Sequence, residues 1–200
     1  MSQERNILLF AFPERDQTVE AFAEITDLLP GLLQAAVVER DGDGVLRTAD
    51  TFSSTPGDAD SLSGGLLGNV IAVVGGPLGV LLGWTPGLAA GDVVDTKVDT
   101  THAESGIEDH LRMLSERIPV GGTALFVDAV EVRAAVADEL AARHHGTLTR
   151  VPADAAGADV RAAHHATRAA ARTAREEHLK ARRAALRTSS LGNPFSHGPG

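Results

Sequence analysis

The chain has no cysteine and no tyrosine, and its aromatic residues amount to six phenylalanines and one tryptophan. Without thiols it has no disulfides, no thiolate metal sites and no cysteine nucleophile, and its redox compartment is left open. With so few rings, any core must be built from Ala, Val, Leu and Ile. Lysine is nearly missing as well: only Lys97 and Lys180 occur, so arginine carries the positive charge. With the abundance of Ala and Gly, this reads as the codon usage of a GC-rich bacterial genome. There is no Gly-x-Ser-x-Gly elbow, no Gly-x-x-x-x-Gly-Lys phosphate loop and no dinucleotide fingerprint in a strand-to-helix turn. The apolar run Ile7–Phe10 is too short for the core of a signal peptide, so a cytoplasmic location is expected.

What is present is enough for one domain plus an appendage: 200 residues, 43% of them apolar. Charge is unevenly placed. Residues 1–150 hold 23 acidic and 10 basic side chains, whereas residues 151–200 hold 4 and 8. An acidic body with a basic appendage follows.

The stretch from Gly64 to Gly91 dominates the sequence. No charge falls between Asp60 and Asp92. Gly75, Gly79, Gly83, Gly87 and Gly91 are spaced four apart, Gly64 and Gly68 begin the same spacing, and Ala72 and Gly76 continue it. Residues four apart share one face of a helix, so the run describes a smooth groove in which a second backbone can come close. Gly75-Gly76-Pro77 breaks it in the middle, with Pro77 suited to a first helical turn. A glycine-zipper hairpin of about 62–74 and 77–91 is expected, its second arm kinked at Pro86. Each arm is too short to span a bilayer, which takes about 20 apolar residues. Packing within the protein or on another copy, peripheral or re-entrant membrane contact, and a single span all remain open.

The flanks read as an α+β body. Residues 5–12 form a buried strand, ended by Pro13. Asp16 is placed to cap a helix over 17–29, with Val19, Phe22, Ala23, Ile25, Leu28 and Leu29 on its apolar face. Strands over 32–40 and 45–52 flank the turn Asp41-Gly42-Asp43-Gly44. After the hairpin come a helix over 106–117, a strand over 123–129, a helix over 130–143 and a short strand over 147–151. Two such halves predict a ferredoxin-like antiparallel sheet with helices on one face, occupying residues 1–152. A long Ala/Arg-rich helix follows over 153–188, then a disordered tail over 189–200.

The order of parts carries a resemblance. The strand Ala35-Ala36-Val37-Val38-Glu39-Arg40 with its turn precedes a linker and the glycine-laddered hairpin. Gly106-Ile107-Glu108-Asp109 then opens a helix, and Pro119-Val120-Gly121-Gly122-Thr123 leads into the strand Ala124-Leu125-Phe126-Val127. Over about residues 5–151 this resembles the bacterial "domain of unknown function 1269" family, often labelled membrane-associated. The resemblance implies a ferredoxin-like body with a glycine-rich insertion and no assigned catalytic residues. Pro77, Pro86 and the basic extension depart from it.

Sites of chemistry are sparse. His102-Ala-Glu104 with Asp109-His110 has the residue types of a metal centre but no recognised ligand spacing, and a solvated helix face explains it better. The pairs His144-His145 and His164-His165 read as surface residues. Asp41-x-Asp43-Gly44 begins like a calcium loop, but the closing Glu is missing, and a hairpin turn accounts for it. No catalytic, cofactor or metal residue is therefore assigned, and no cofactor is expected. The association residues are Gly64, Gly68, Gly75, Gly79, Gly83, Gly87 and Gly91. Arg161, Arg168, Arg172, Arg175, Arg182 and Arg183 are the candidate anion contacts on the C-terminal helix, although a solvated helix leaning on the acidic body is the favoured reading of it. No aromatic residue there could stack on bases, which argues against nucleic acid.

The sequence thus points to a non-enzymatic bacterial protein, cytoplasmic and at or partly in the inner membrane. It is expected to form a homo-oligomer or to touch membrane through the glycine zipper. The alternatives are a soluble regulatory or ligand-binding module with the hairpin in its own core, and a nucleic-acid-associated protein acting through the basic helix. No small-molecule substrate is indicated.

Overall fold

The structure, a computed structural model, describes residues 4–55, 65–75 and 109–190. Their elements are β1 (Glu4–Ala11), α1 (Arg15–Leu28), β2 (Leu32–Arg40), β3 (Leu46–Ser53), α2 (Leu66–Gly75), α3 (Asp109–Glu116), β4 (Thr123–Glu131), α4 (Ala134–Arg143), β5 (Thr147–Pro152) and α5 (Ala153–Ser190). The second hairpin arm, the segment around His102 and Glu104, and the tail after Ser190 lie outside the described residues. The chain divides into two compact units, Met1–Ala163 and His164–Gly200.

In the first unit all five strands form one antiparallel sheet in the order β3-β2-β4-β1-β5. The centre is the pair β1·β4, with Leu8 opposite Val127 and Phe10 opposite Leu125. Side chains alternate across a strand, and here both faces are apolar. Ile7, Leu9, Ala124 and Phe126 point to one side, Leu8, Phe10, Leu125 and Val127 to the other, all at most 1% exposed. An unbroken apolar run of this kind requires cover on both sides. The structure supplies it, and so corrects the expectation of helices on one face. Ala21 and Ile25 of α1 pack with Ala137, Leu140 and Ala141 of α4 against the second set. Leu67, Val70, Val73 and Val74 of α2, Leu111 and Leu114 of α3, and Ala156, Val160 and Ala163 of α5 cover the first.

Several boundaries move for local reasons. Glu14, not Asp16, occupies the N-cap of α1, and the Glu14 backbone N–H donates to Gln17 Oε1 at 3.3 Å. Val19, assigned to the apolar face, is half exposed; Ile25 and Leu29 are buried as expected, and Thr18 and Ala21 turn inward beside them. Val130 and Glu131 extend β4, because they pair with Arg5 and Glu4, and α4 begins only at Ala134. The first unit also extends past residue 152. Ala156, Val160 and Ala163 are buried in the core, so the opening turns of α5 belong to the body.

The second unit, taken by itself, is the helical segment from His164 to Ser190. From Arg168 to Arg183 every residue is exposed.

Candidate functional site

At one end of the sheet, β1, β4 and β5 bring charged side chains together. Arg5 donates through Nε and Nη2 to both oxygens of Asp128, at 2.8 and 2.6 Å. Asp128 is fully buried, whereas the Arg5 side chain is half exposed. This hydrogen-bonded carboxylate raises the Arg5 pKa against the opposing effect of burial. Across the sheet, Glu131 accepts from Asn6 Nδ2 at 2.8 Å and from Arg150 Nε at 3.1 Å. Arg150 also donates to Asp138 at 2.8 Å and to the Ala134 carbonyl at 2.9 Å. Burial lowers the Arg150 pKa, but its hydrogen bond to Asp138 and the Glu131 charge outweigh that and raise it. Glu4, Arg5 and Asn6, with Leu66 of α2 and Asp154 of α5, border a cleft of about 620 Å³. Asp128 anchors Arg5 at the border of this cleft, and Glu131 anchors Arg150.

At the opposite end of β2 lies Arg40, fully buried. Its Nη2 donates to the Ser115 carbonyl at 3.1 Å and to Ser115 Oγ at 3.0 Å, and its Nη1 to the Gly44 carbonyl at 3.4 Å. Ser115 Oγ in turn donates to the Val74 carbonyl at 3.3 Å. Ser115 and Val74 stand in the last turns of α3 and α2. Helix C-termini carry partial negative charge, and Arg40 places its cation against one directly and another through a hydroxyl. Burial nonetheless lowers the Arg40 pKa, and Nε has no hydrogen-bond partner among the described residues. The adjoining Asp41 accepts from the Asp43 and Val45 backbone N–H groups at 3.0 and 2.9 Å and from Arg47 at 2.9 Å. Burial opposes these bonds, but together they hold the Asp41 carboxyl below its usual value. This is the geometry of a hairpin turn, closed by Gly44 at φ 80°.

Two histidines behave differently from expectation. His144, read as a surface residue, is buried against Phe12 edge-on, with Nε2 3.2 Å from Glu24 Oε1. His110 lies with Nδ1 3.4 Å from Oδ2 of Asp159, a nearly buried residue of α5. Asp159 also accepts from the backbone N–H groups of Leu111 and His110 in the first turn of α3. It therefore caps α3 from another element. Desolvation raises the Asp159 pKa; the His110 charge and these hydrogen bonds only partly offset it. Sequence spacing could not bring residue 159 to residue 110. Among the described residues no three His, Asp or Glu side chains come together as a metal site.

Of the association residues, Gly68 and Gly75 are described. Gly68 is half-buried on α2, and Gly75 is buried, with the Leu46 side chain of β3 packed where a Cβ would stand. Gly64, Gly79, Gly83, Gly87 and Gly91 lie outside the described residues. Among the described residues no helix is long and apolar enough to cross a membrane. Arg161 is exposed in the first unit, and Arg168, Arg172, Arg175, Arg182 and Arg183 are exposed in the second. Comparison with protein-family models, with curated proteins and with solved structures yields no match.

Proposed function

We propose that the chain is a non-enzymatic regulatory or ligand-binding module, whose first glycine-spaced arm is a working part of its own core. The observation that carries this reading is the burial of α2. Leu67, Val70, Val73 and Val74 are all fully buried, packed with the sheet, α3 and α5 of the same chain. A helix that spends Leu67, Val70, Val73 and Val74 on its own sheet has few apolar side chains left for a bilayer or a second copy. Gly75 fits the same reading, since its missing side chain admits Leu46 of the neighbouring strand. The non-enzymatic part of the proposal is supported by the pairing of Arg5, at the border of the cleft, with Asp128, and of Arg150 with Glu131.

The fold proposed for the body is a rearranged ferredoxin-like sandwich. Followed from β4 through α4, β5, β1 and α1 to β2, the elements run β-α-β-β-α-β. Across the sheet these strands stand in the order fourth, first, third, second. Both helices of that set, α4 and α1, share one face. β3 then adds an edge, and α2, α3 and the start of α5 close the second face.

Replacement of Val70 and Val74 by Ser tests the role of α2. Loss of stability at every protein concentration, with an unchanged oligomeric state, is expected. A variant that kept its stability but lost association, or left the membrane fraction of native cells, would restore the zipper as an outward-facing element.

A further inference from the structure

The second unit, taken by itself, carries a mixed basic and apolar face. At about 100° per residue, Arg168, Arg172, Arg175, Arg182 and Arg183 fall within an arc of about 100°. Leu179 and Leu186 project from the middle of that arc, 45% and 65% exposed. The opposite side holds Ala170, Ala174 and Ala181 with Thr173 and Glu177. Residues 164–200 contain seven basic and two acidic side chains, against eleven basic and 25 acidic in residues 1–163. A positive face on a strongly negative chain is a local feature, and exposed leucines set among its arginines are a second, independent one.

We infer that this helix lies on an anionic lipid surface, its arginines meeting headgroup phosphates while Leu179 and Leu186 enter the boundary of the acyl region. Charge complementarity selects a polyanionic partner. The leucines choose between polyanions. A bilayer repays the burial of exposed leucine, with long arginine side chains reaching back to the phosphates. A nucleic-acid backbone offers leucine nothing, and the helix has no ring for stacking on bases. Ala and Thr on the far side leave it free of large apolar groups facing water. The inference stands apart from the role of α2, since it uses only residues of the second unit.

The test is co-sedimentation of the full chain with vesicles of phosphatidylcholine alone and of phosphatidylcholine mixed with phosphatidylglycerol. Binding to the anionic vesicles only, weakening with salt, is expected. Arg172→Gln, Arg175→Gln and Arg182→Gln together should weaken it on the order of a hundredfold, at roughly a factor of five per charge. Leu179→Ala with Leu186→Ala preserves helix propensity and should weaken it about tenfold, with helicity followed by circular dichroism. Equal binding to neutral vesicles, or full binding by the leucine variant, would overturn the inference. Tighter binding to duplex DNA that ignores the leucines would do so too, in favour of nucleic acid.

Discussion

Arg40 donates to the carbonyl of Ser115 from a position with no solvent exposure at all. No carboxylate among the described residues pairs with it, and two helix C-termini take that place. A buried guanidinium is expensive to desolvate, and a helix terminus returns up to about 2 kcal/mol in favourable buried geometry. Desolvation should win. Arg40→Met, which keeps the length and drops the charge, is expected to stabilise the protein by about 1–2 kcal/mol in urea denaturation. Arg40→Ala leaves a cavity and should destabilise it by about 2 kcal/mol or more. A loss of stability in the Met variant would show that the helix termini outweigh desolvation.

Asp159 gives a pH-dependent prediction with a definite sign. Its folded pKa is raised, chiefly by desolvation, so the folded protein binds this proton more readily than the unfolded chain. The stability linked to that proton is present at low pH and is lost as pH rises from the ordinary aspartate value, about 3.9, through the raised one. Asp159→Asn keeps a carbonyl acceptor for the Leu111 and His110 N–H groups without an ionisable group. The stability of the wild type relative to this variant should fall as pH climbs through that window, and then level off. A difference that is flat, or that grows with pH, would refute the assignment.

Much of this fold was legible, and the misses have identifiable causes. The strands 32–40 and 123 onward were visible because their apolar residues are consecutive and turn residues such as Gly31, Asp41 and Gly122 flank them. The same unbroken apolar runs in β1 and β4 already demanded two covering layers, since Leu8 and Leu9 cannot both face one side. Composition gave the exposed basic helix, but not its division at Ala163, because Ala156 and Ala163 look like any other alanines in the sequence. The Arg5–Asp128 pair and the Asp159 cap were out of reach. They depend on which strand or helix lies beside which, a relation that no local spacing encodes.

Gly75 and Leu46 form a steric pair between α2 and β3. Gly75→Ala should overpack this contact and cost about 1–3 kcal/mol. Adding Leu46→Ala should recover part of that loss, so a double-mutant cycle in thermal or urea unfolding ought to show strong coupling. Independent, additive effects would mean that α2 does not sit against β3 as described.

The division of α5 can be tested by truncation. A chain ending at residue 163 keeps Val160, Ala163 and the Asp159 cap, and should unfold cooperatively with nearly the stability of the full chain. A chain ending at residue 152 loses them and should be weaker by about 2–4 kcal/mol, given the apolar burial of Val160 and its neighbours. Equal stability of the two truncated chains would place the whole of α5 outside the body.

The central position of β1 has a consequence for biosynthesis. Arg5 and Asp128, joined in the finished sheet, are 123 residues apart. Both strands that flank β1 come from the last third of the body. A nascent chain therefore carries Ile7–Phe10 without a pairing partner until β4 has left the ribosome, while the β2–β3 hairpin can close locally. Non-local pairing of this kind slows folding and leaves apolar strand edges open to other chains. β1, made before the other strands of this sheet, is among the last to be placed, and its protection during synthesis falls to whatever holds nascent chains.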